Sequence, residues 1–244
     1  MRSGEQTLLQ HLGELRRRVF ICVVAVIVGS AAAFPFWEEI VELLARQGPE
    51  VDLIAIEITE TLTTSIKVSL FAGFVLASPL VIFQAGMFVT PGLTGKEKRF
   101  MFAFLPGVLG AFVLGVAFSY FVLLPPLLGF LLSHGSDLIE IQPRVSNFVG
   151  NVLRLMFWMG LAFETPLIMY LLAQLGLVTA RSLIKFFRYW VVVAFLLAAI
   201  ITPTVDPYNQ ALVAVPLLVL YGIGILLAFV AGRSRSRSKA LSST

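Results

Sequence analysis

The chain has 244 residues, of which 58% are hydrophobic and 13% charged, and its mean hydropathy is +0.93. Soluble domains are about 45–50% apolar and about 25% charged, so this composition excludes an ordinary soluble enzyme. A helix needs about 20 apolar residues to cross a bilayer core of about 30 Å, and the length accommodates roughly six such spans. We therefore expect one all-α membrane domain over residues 1–232, followed by a basic, disordered tail over residues 233–244.

The apolar runs are separated by short polar segments. An amphipathic segment over residues 5–18 carries leucines at helical spacing and is predicted to lie on the membrane surface. An acidic loop separates the first two apolar runs. The first apolar run is predicted to be a retained span and not a cleaved signal, because no small-residue cleavage site with a soluble domain follows it and further apolar runs of similar length do. The six predicted spans cover residues 19–37, 65–89, 100–124, 147–172, 189–202 and 209–230.

Prolines and short runs predict departures from simple spans. Pro125 and Pro126 should interrupt span 3, because proline removes a backbone donor and clashes with the preceding turn. Span 5 has about 14 residues and rises only about 21 Å. Together with span 6 it predicts two short C-terminal spans that thin the bilayer. A short hairpin buried in a larger fold is the alternative.

The distribution of basic residues predicts the orientation. Fourteen of the 18 lysines and arginines fall on one side of the six predicted spans, and basic loops favour the cytoplasm. Both termini are therefore expected to be cytoplasmic, with the protein in the cell membrane. The basic tail would contact anionic lipid, without any need for nucleic-acid binding. Lys67 and Arg154 lie near the outer ends of their spans, where long side chains reach to the interface.

No residue pattern indicates catalysis or a cofactor. His11 and His134 fall on opposite predicted sides, and neither has the partner histidine of a zinc-binding helix. Cys22 is the only cysteine, which excludes a disulfide framework and a cysteine-based metal site. The stretch from Gly92 to Lys96 lacks the glycine spacing of a phosphate loop. We therefore expect neither a metal nor a bound cofactor.

Glu164 is the most unusual polar residue, because it falls well inside span 4. A charge at a helix centre costs about 2.5–3.5 kcal/mol on insertion scales, so such a residue suggests a function. Pro166 frees nearby backbone carbonyls and favours a local cavity. The alternative is a protonated or hydrogen-bonded glutamate that packs helices.

Only three acidic residues, Glu5, Glu14 and Glu97, fall on the basic side. Isolated carboxylates in a basic surface favour a cationic ligand, and two of them could bind two arginines through paired hydrogen bonds. The alternative for Glu14 is a helical ion pair with Arg18, and for Glu97 a solvated charge between two lysines. Near the last hairpin, Thr202 and Gln210 either dock a partner helix or hold spans 5 and 6 together.

The order and spacing of several short strings resemble the TatC family, the multi-spanning subunit of the twin-arginine protein translocase. They are distributed over nearly the whole chain. The strings are His11–Arg18, Lys67–Ser69, Ala77–Pro79 with Gln84, Phe88 with Pro91–Leu93 and Glu97, Phe118–Tyr120, Phe163–Pro166, and Thr202-Pro203 with Asp206 and Gln210.

The resemblance implies a glove-like arrangement of six helices and a receptor that is not an enzyme. It would bind twin-arginine signal peptides of folded proteins through Glu14 and Glu97, with Arg16 and Phe88 at the same cytoplasmic site. Glu164 would match an intramembrane glutamate on the concave face. Thr202 and Gln210 would match a docking cluster for single-span TatA- and TatB-type partners, with transport driven by the proton-motive force and a possible homo-oligomer in the receptor complex.

Two other functions are compatible with the composition. A proton-coupled transporter for a small solute would use Glu164 as a proton relay, but such transporters usually show repeated halves with matching helix breaks. The sequence shows no such repeat. A structural membrane anchor would leave Glu164 unexplained.

Overall fold

The computed structural model describes residues 8–47, 53–89, 95–133, 142–202 and 206–241, apart from the side chains of residues 8, 9, 89, 96–101, 133 and 234–241. Within these ranges the chain is helical between short loops, and its only β pairing is an isolated bridge. Six helical stretches of the described chain are long and apolar enough to cross a membrane, which confirms the predicted all-α membrane fold. The helices are α1 (Leu8–Ala33), α2 (Trp37–Ala45), α3 (Glu60–Val89), α4 (Gly95–Phe118), α5 (Leu124–Ser133), α6 (Val145–Ala162), α7 (Thr165–Leu175), α8 (Ala180–Ile201) and α9 (Pro207–Leu241).

Helix α1 joins the predicted surface segment and span 1 into one continuous helix. The helix predicted before span 1 is present from Leu8 onward and continues directly into the span, and its place on the membrane surface stays a prediction. The middle of α1 exposes large apolar side chains such as Phe20, at 68%, and Val28, at 63%, as expected for a helix that faces lipid. On its other side α1 packs closely against α3. A Cβ atom at Gly29 would lie 2.8 Å from the Gly73 carbonyl oxygen, so glycine permits this close approach.

The interruption predicted in span 3 takes the form of a π-helical segment, Ser119–Leu123, between α4 and α5. Pro125 and Pro126 lie in the first turn of α5, where a missing backbone donor is tolerated. The Tyr120 hydroxyl donates a hydrogen bond of 2.8 Å to the Leu43 carbonyl oxygen. The π-helical segment is thereby fastened to α2.

Span 4 is divided into α6 and α7 by a turn at Phe163 and Glu164. Pro166 falls in the first turn of α7, which it can occupy without breaking the helix. Gly176 ends α7 in the left-handed conformation, at φ 77°, which glycine adopts without a Cβ clash. The break therefore places Glu164 at a helix junction inside the span.

The last two helices are longer than the predicted spans. Helix α8 begins at Ala180, and its first turns carry Arg181, Lys185 and Arg188, so the uncharged part still begins at Tyr189. Helix α9 continues to Leu241, where the sequence predicted a disordered tail from residue 233. The backbone of residues 233–241 is thus helical, and the division into a domain and a tail stays a prediction.

The buried core lies where the π-helical segment, α5 and α6 meet α8 and α9. Leu124, Val149, Met159 and Val213 are completely buried there. Helix α4 packs on α6, and α7 packs on α9. This core fixes the positions of the helix breaks, including the one at Glu164.

A buried ion-pair cluster joins the starts of α3 and α6, and we call it the acidic-end clasp. The Glu60 side chain is 4% exposed and pairs with the Arg144 guanidinium. Glu60 also accepts hydrogen bonds from the Ser146 hydroxyl at 2.7 Å and the Ile56 amide at 2.6 Å. Arg144 lies 2.7 Å from a Glu57 oxygen. Hydrogen bonds to Glu57 and Glu60 raise the pKa of Arg144 above its ordinary value, so its guanidinium stays charged.

Candidate functional site

The ends of α1 and α3 bring together a polar and aromatic group that we call the end cluster. His11, Glu14 and Arg18 contribute from α1, and Gln84 and Phe88 from α3. Spacings of three and four residues place the α1 members on one helix face, and the two α3 members are one turn apart. The close packing of α1 on α3 therefore brings these two faces together.

The contacts within the end cluster are specific. Arg18 Nε donates to Glu14 Oε1 at 3.0 Å, and Arg18 Nη2 donates to the same oxygen. Arg18 Nη1 donates to Gln84 Oε1 at 3.1 Å. The rings of His11 and Phe88 stack with centroids 4.3 Å apart. Arg18 thus connects the carboxylate of α1 to the amide of α3.

The Glu14 carboxylate keeps one oxygen for another partner. Both bonds from Arg18 end on Oε1, and the described residues provide no partner for Oε2. The Glu14 side chain is 22% exposed, so a solute can reach it. Since a carboxylate has about four lone-pair sites, Glu14 can accept hydrogen bonds from a second guanidinium while it retains Arg18.

The other residues predicted for this site are placed unevenly. Phe88 lies in the end cluster. Arg16 is exposed on α1, and the structure gives it no contact with the cluster. Glu97 stands in the first turn of α4, but its side chain lies outside the described residues. The structure therefore brings Glu14 and Phe88 together and leaves the position of the second carboxylate as a prediction.

Glu164 lies at the junction of α6 and α7, half-buried. Its Oε1 atom is buried without a hydrogen-bond partner among the described residues. Since buried polar atoms are nearly always paired, this oxygen does not have the contacts expected of a glutamate that only packs helices.

The polar residues of the last hairpin bond within the chain. Thr202 is buried, and its hydroxyl donates to the Ala198 carbonyl oxygen at 2.8 Å. The Gln210 side-chain amide donates to the Phe195 carbonyl oxygen at 2.9 Å. The Gln210 contact fastens α9 to α8, as in the alternative that these residues hold the two spans together. A docking role for Thr202 and Gln210 stays a prediction.

The ion pair of Glu14 with Arg18, which the sequence offered as an alternative, is present. Sequence reasoning did not predict the contacts of Gln84 and His11 with residues of the facing helix. The signal was available, because His11, Glu14 and Arg18 share one face of a helix. The contacts of this face with α3 could not be predicted, however, because they depend on how the two helices pack. The acidic-end clasp was also missed, since nothing in the sequence connects Glu60 to Arg144, 84 residues away.

The fold and these polar positions define a polytopic α-helical membrane protein with a carboxylate-containing cluster at one end and a glutamate inside one span. Over residues 10–216 the chain matches the family described as "Sec-independent protein translocase protein (TatC)". The chain belongs to the TatC family.

Two relatives with that name and one solved structure are similar over most of their length. The protein of Aquifex aeolicus is 40% identical, covering 93% of this chain and 97% of the relative. That of Carboxydothermus hydrogenoformans is 33% identical, covering 93% and 95%. The structure described as "Crystal Structure of Twin Arginine Translocase Receptor- TatC" is 39% identical, with a TM-score of 0.81, and covers 91% of this chain and 99% of that chain.

Family membership settles the broad function. The chain is a component of a protein translocase and not an enzyme. It is a multi-pass membrane protein, as its six apolar helical stretches also indicate. These comparisons do not favour the small-solute transporter.

Proposed function

We propose that this protein is the receptor subunit that binds twin-arginine signal peptides of folded cargo. It works with single-span TatA- and TatB-type partners in transport driven by the proton-motive force. The peptide's arginines bind the carboxylates of Glu14 and Glu97, with Arg16 and Phe88 beside them. Support comes from the solved receptor structure, which is described as a twin-arginine translocase receptor.

The observation that carries the proposal is the free oxygen of Glu14. Arg18 neutralises part of this carboxylate and holds it in place, while Oε2 keeps its acceptor capacity. An incoming guanidinium then gains a charge-assisted hydrogen bond to a group that is already oriented. A guanidinium can donate two N–H groups of its planar fork to a carboxylate, whereas a lysine ammonium cannot. This difference favours arginine in the ligand.

The orientation belongs to the proposal as well. Both termini and the end cluster face the cytoplasm of a cell membrane, because the basic loops collect on that side. The acidic-end clasp then faces outward. Thr202 and Gln210 form the surface at the outer end on which partner helices dock. Glu164 is a polar side chain inside the span.

Peptide binding tests the receptor role. Detergent-purified protein is titrated with a fluorescent signal peptide carrying Arg-Arg or Lys-Lys. Glu14→Gln and Glu97→Gln should each weaken Arg-Arg binding at least tenfold, which is the loss of about 1.4 kcal/mol, since each removes a charged acceptor. Glu39→Gln, at an exposed acid of α2, is the matched control and should bind as the wild type does. Equal binding of both peptides by the wild type would refute arginine recognition.

Cysteine labelling tests the orientation. In a variant that lacks Cys22, Glu39→Cys on α2 should react with a membrane-impermeant maleimide in intact cells. Lys185→Cys at the start of α8 should react only after the membrane is opened. The reverse pattern would overturn the proposed orientation without affecting the peptide-binding test in detergent.

A further inference from the structure

Two cations lie inside the spans and have no carboxylate partner among the residues that the structure describes. Lys67 is seven residues into α3 and Arg154 is nine residues beyond the first residue of α6, which corresponds to depths of about 10 Å and about 14 Å along the helices. The acidic-end clasp shows that α3 and α6 begin at the same end of the molecule. Both cations therefore belong to the same leaflet.

The two side chains share one groove. Lys67 and Arg154 are exposed, and both line an open groove of about 560 Å³ between α3 and α6. Sequence reasoning placed them near the interface but not beside each other. Because both cations line the same groove, a single negatively charged ligand could contact both of them.

No ion pair or hydrogen bond joins either cation to another residue of the described chain. Three other arginines, Arg18, Arg46 and Arg144, each pair with a glutamate, unlike Lys67 and Arg154. An unpaired charge within a span is costly, and such residues almost always find a partner or reach water. An anionic ligand from outside the described chain would neutralise both charges.

The remaining walls of the groove are apolar and aromatic. Val26, Phe71, Phe74 and Phe157 line it. Trp158, 38% exposed, also lines it. Inorganic phosphate has no apolar surface to bury against these walls, whereas a lipid acyl chain does. An amphiphile with a phosphate head and hydrocarbon tail fits both parts of the groove.

We propose that this groove binds one anionic phospholipid of the leaflet at the acidic end, with its phosphate between Lys67 and Arg154. One acyl chain lies along the aromatic walls contributed by α3 and α6. The lipid neutralises both cations and fills the space between the helices. The site is independent of the end cluster and of signal-peptide binding.

Lipid titration with matched variants tests the charges. Delipidated protein in detergent is titrated with phosphatidylglycerol or phosphatidylcholine, and bound lipid is counted by native mass spectrometry. Lys67→Met and Arg154→Met should each weaken phosphatidylglycerol binding about tenfold, the loss expected for one charge-assisted hydrogen bond. The double variant should lose the preference for phosphatidylglycerol. Lys185→Met, at an exposed cation on α8, should change nothing.

A second variant tests the apolar walls while it keeps both cations. Gly150 lines the groove, and a Cβ atom there meets nothing within 4 Å, so a side chain can start into the groove and Gly150→Phe should compete with the lipid for that space. Gly129→Phe is the matched control, because that glycine on α5 is equally open. Wild-type lipid affinity in the double charge variant or in Gly150→Phe would overturn the proposal. Displacement of the lipid by millimolar inorganic phosphate would also overturn it, since a free anion would then suffice.

Discussion

The contact between α4 and α6 supports a quantitative prediction at Gly115. A Cβ atom there would lie 2.6 Å from the Met159 carbonyl oxygen and 2.9 Å from Gly160 Cα. Both atoms belong to the backbone of α6 and cannot rotate away. The helices must therefore separate by several tenths of an ångström to accept alanine, beside the residue pair that breaks span 4.

Overpacking of this kind costs about 1–3 kcal/mol, and alanine regains up to about 1 kcal/mol over glycine as a helix former. We expect Gly115→Ala to lower the free energy of unfolding by up to about 2 kcal/mol once the full helix-propensity gain is subtracted. Gly110→Ala on the same helix meets nothing within 4 Å and should be neutral or stabilising.

Unfolding in mixed micelles, followed by helical circular dichroism, measures this difference. The two variants carry the same chemical change in the same helix, so the comparison isolates the contact with α6. If Gly115→Ala were as stable as Gly110→Ala, the close approach of the two helices would be refuted.

Three further predictions use the same unfolding measurement. Arg144→Met should lower the unfolding midpoint more than Arg46→Met. The first change leaves the buried Glu60 carboxylate without its cationic partner, whereas both side chains of the Arg46–Glu42 pair are 67% exposed. Equal shifts would contradict a stabilising clasp. Tyr120→Phe should lower the free energy of unfolding by about 1 kcal/mol, because it removes the hydrogen bond to the Leu43 carbonyl oxygen. Tyr208→Phe, at an exposed tyrosine, should be neutral. A neutral Tyr120→Phe would argue against the attachment of the π-helical segment to α2. Glu164→Leu should raise the midpoint, since it removes a buried carboxylate oxygen that has no hydrogen-bond partner among the described residues, while Glu39→Leu should not. A lower midpoint would indicate that Glu164 stabilises the fold.

Much of the fold follows from local composition. The apolar runs predicted six spans because backbone groups in lipid must be satisfied within a helix, and the structure confirms six membrane-capable stretches. The prolines located the interruption near residue 125, since their effect on a helix is local. Helix lengths were predicted less well. Amphipathic and charged turns, as at the starts of α1 and α8, continue a helix without adding to its apolar run.

The individual site residues were also accessible from sequence, because a carboxylate in a basic surface or inside a span is costly wherever it falls. Glu14 and Glu164 could be singled out on that ground alone. Spacing along the helix also offered Arg18 as a partner of Glu14, but partners distant in sequence could not be predicted. The contacts of Arg18 with Gln84, Glu60 with Arg144, and the shared groove of Lys67 and Arg154 join residues 66 to 87 positions apart.

Sequence by itself therefore determined the class of protein, its apolar spans and the polar residues worth testing, because each depends on the cost of placing a group in lipid. Tertiary structure decided which of those groups meet. Glycine contacts between α1 and α3 and between α4 and α6 set the distances between helices, and those distances decide whether a charge finds a partner within the chain or is left to bind a ligand.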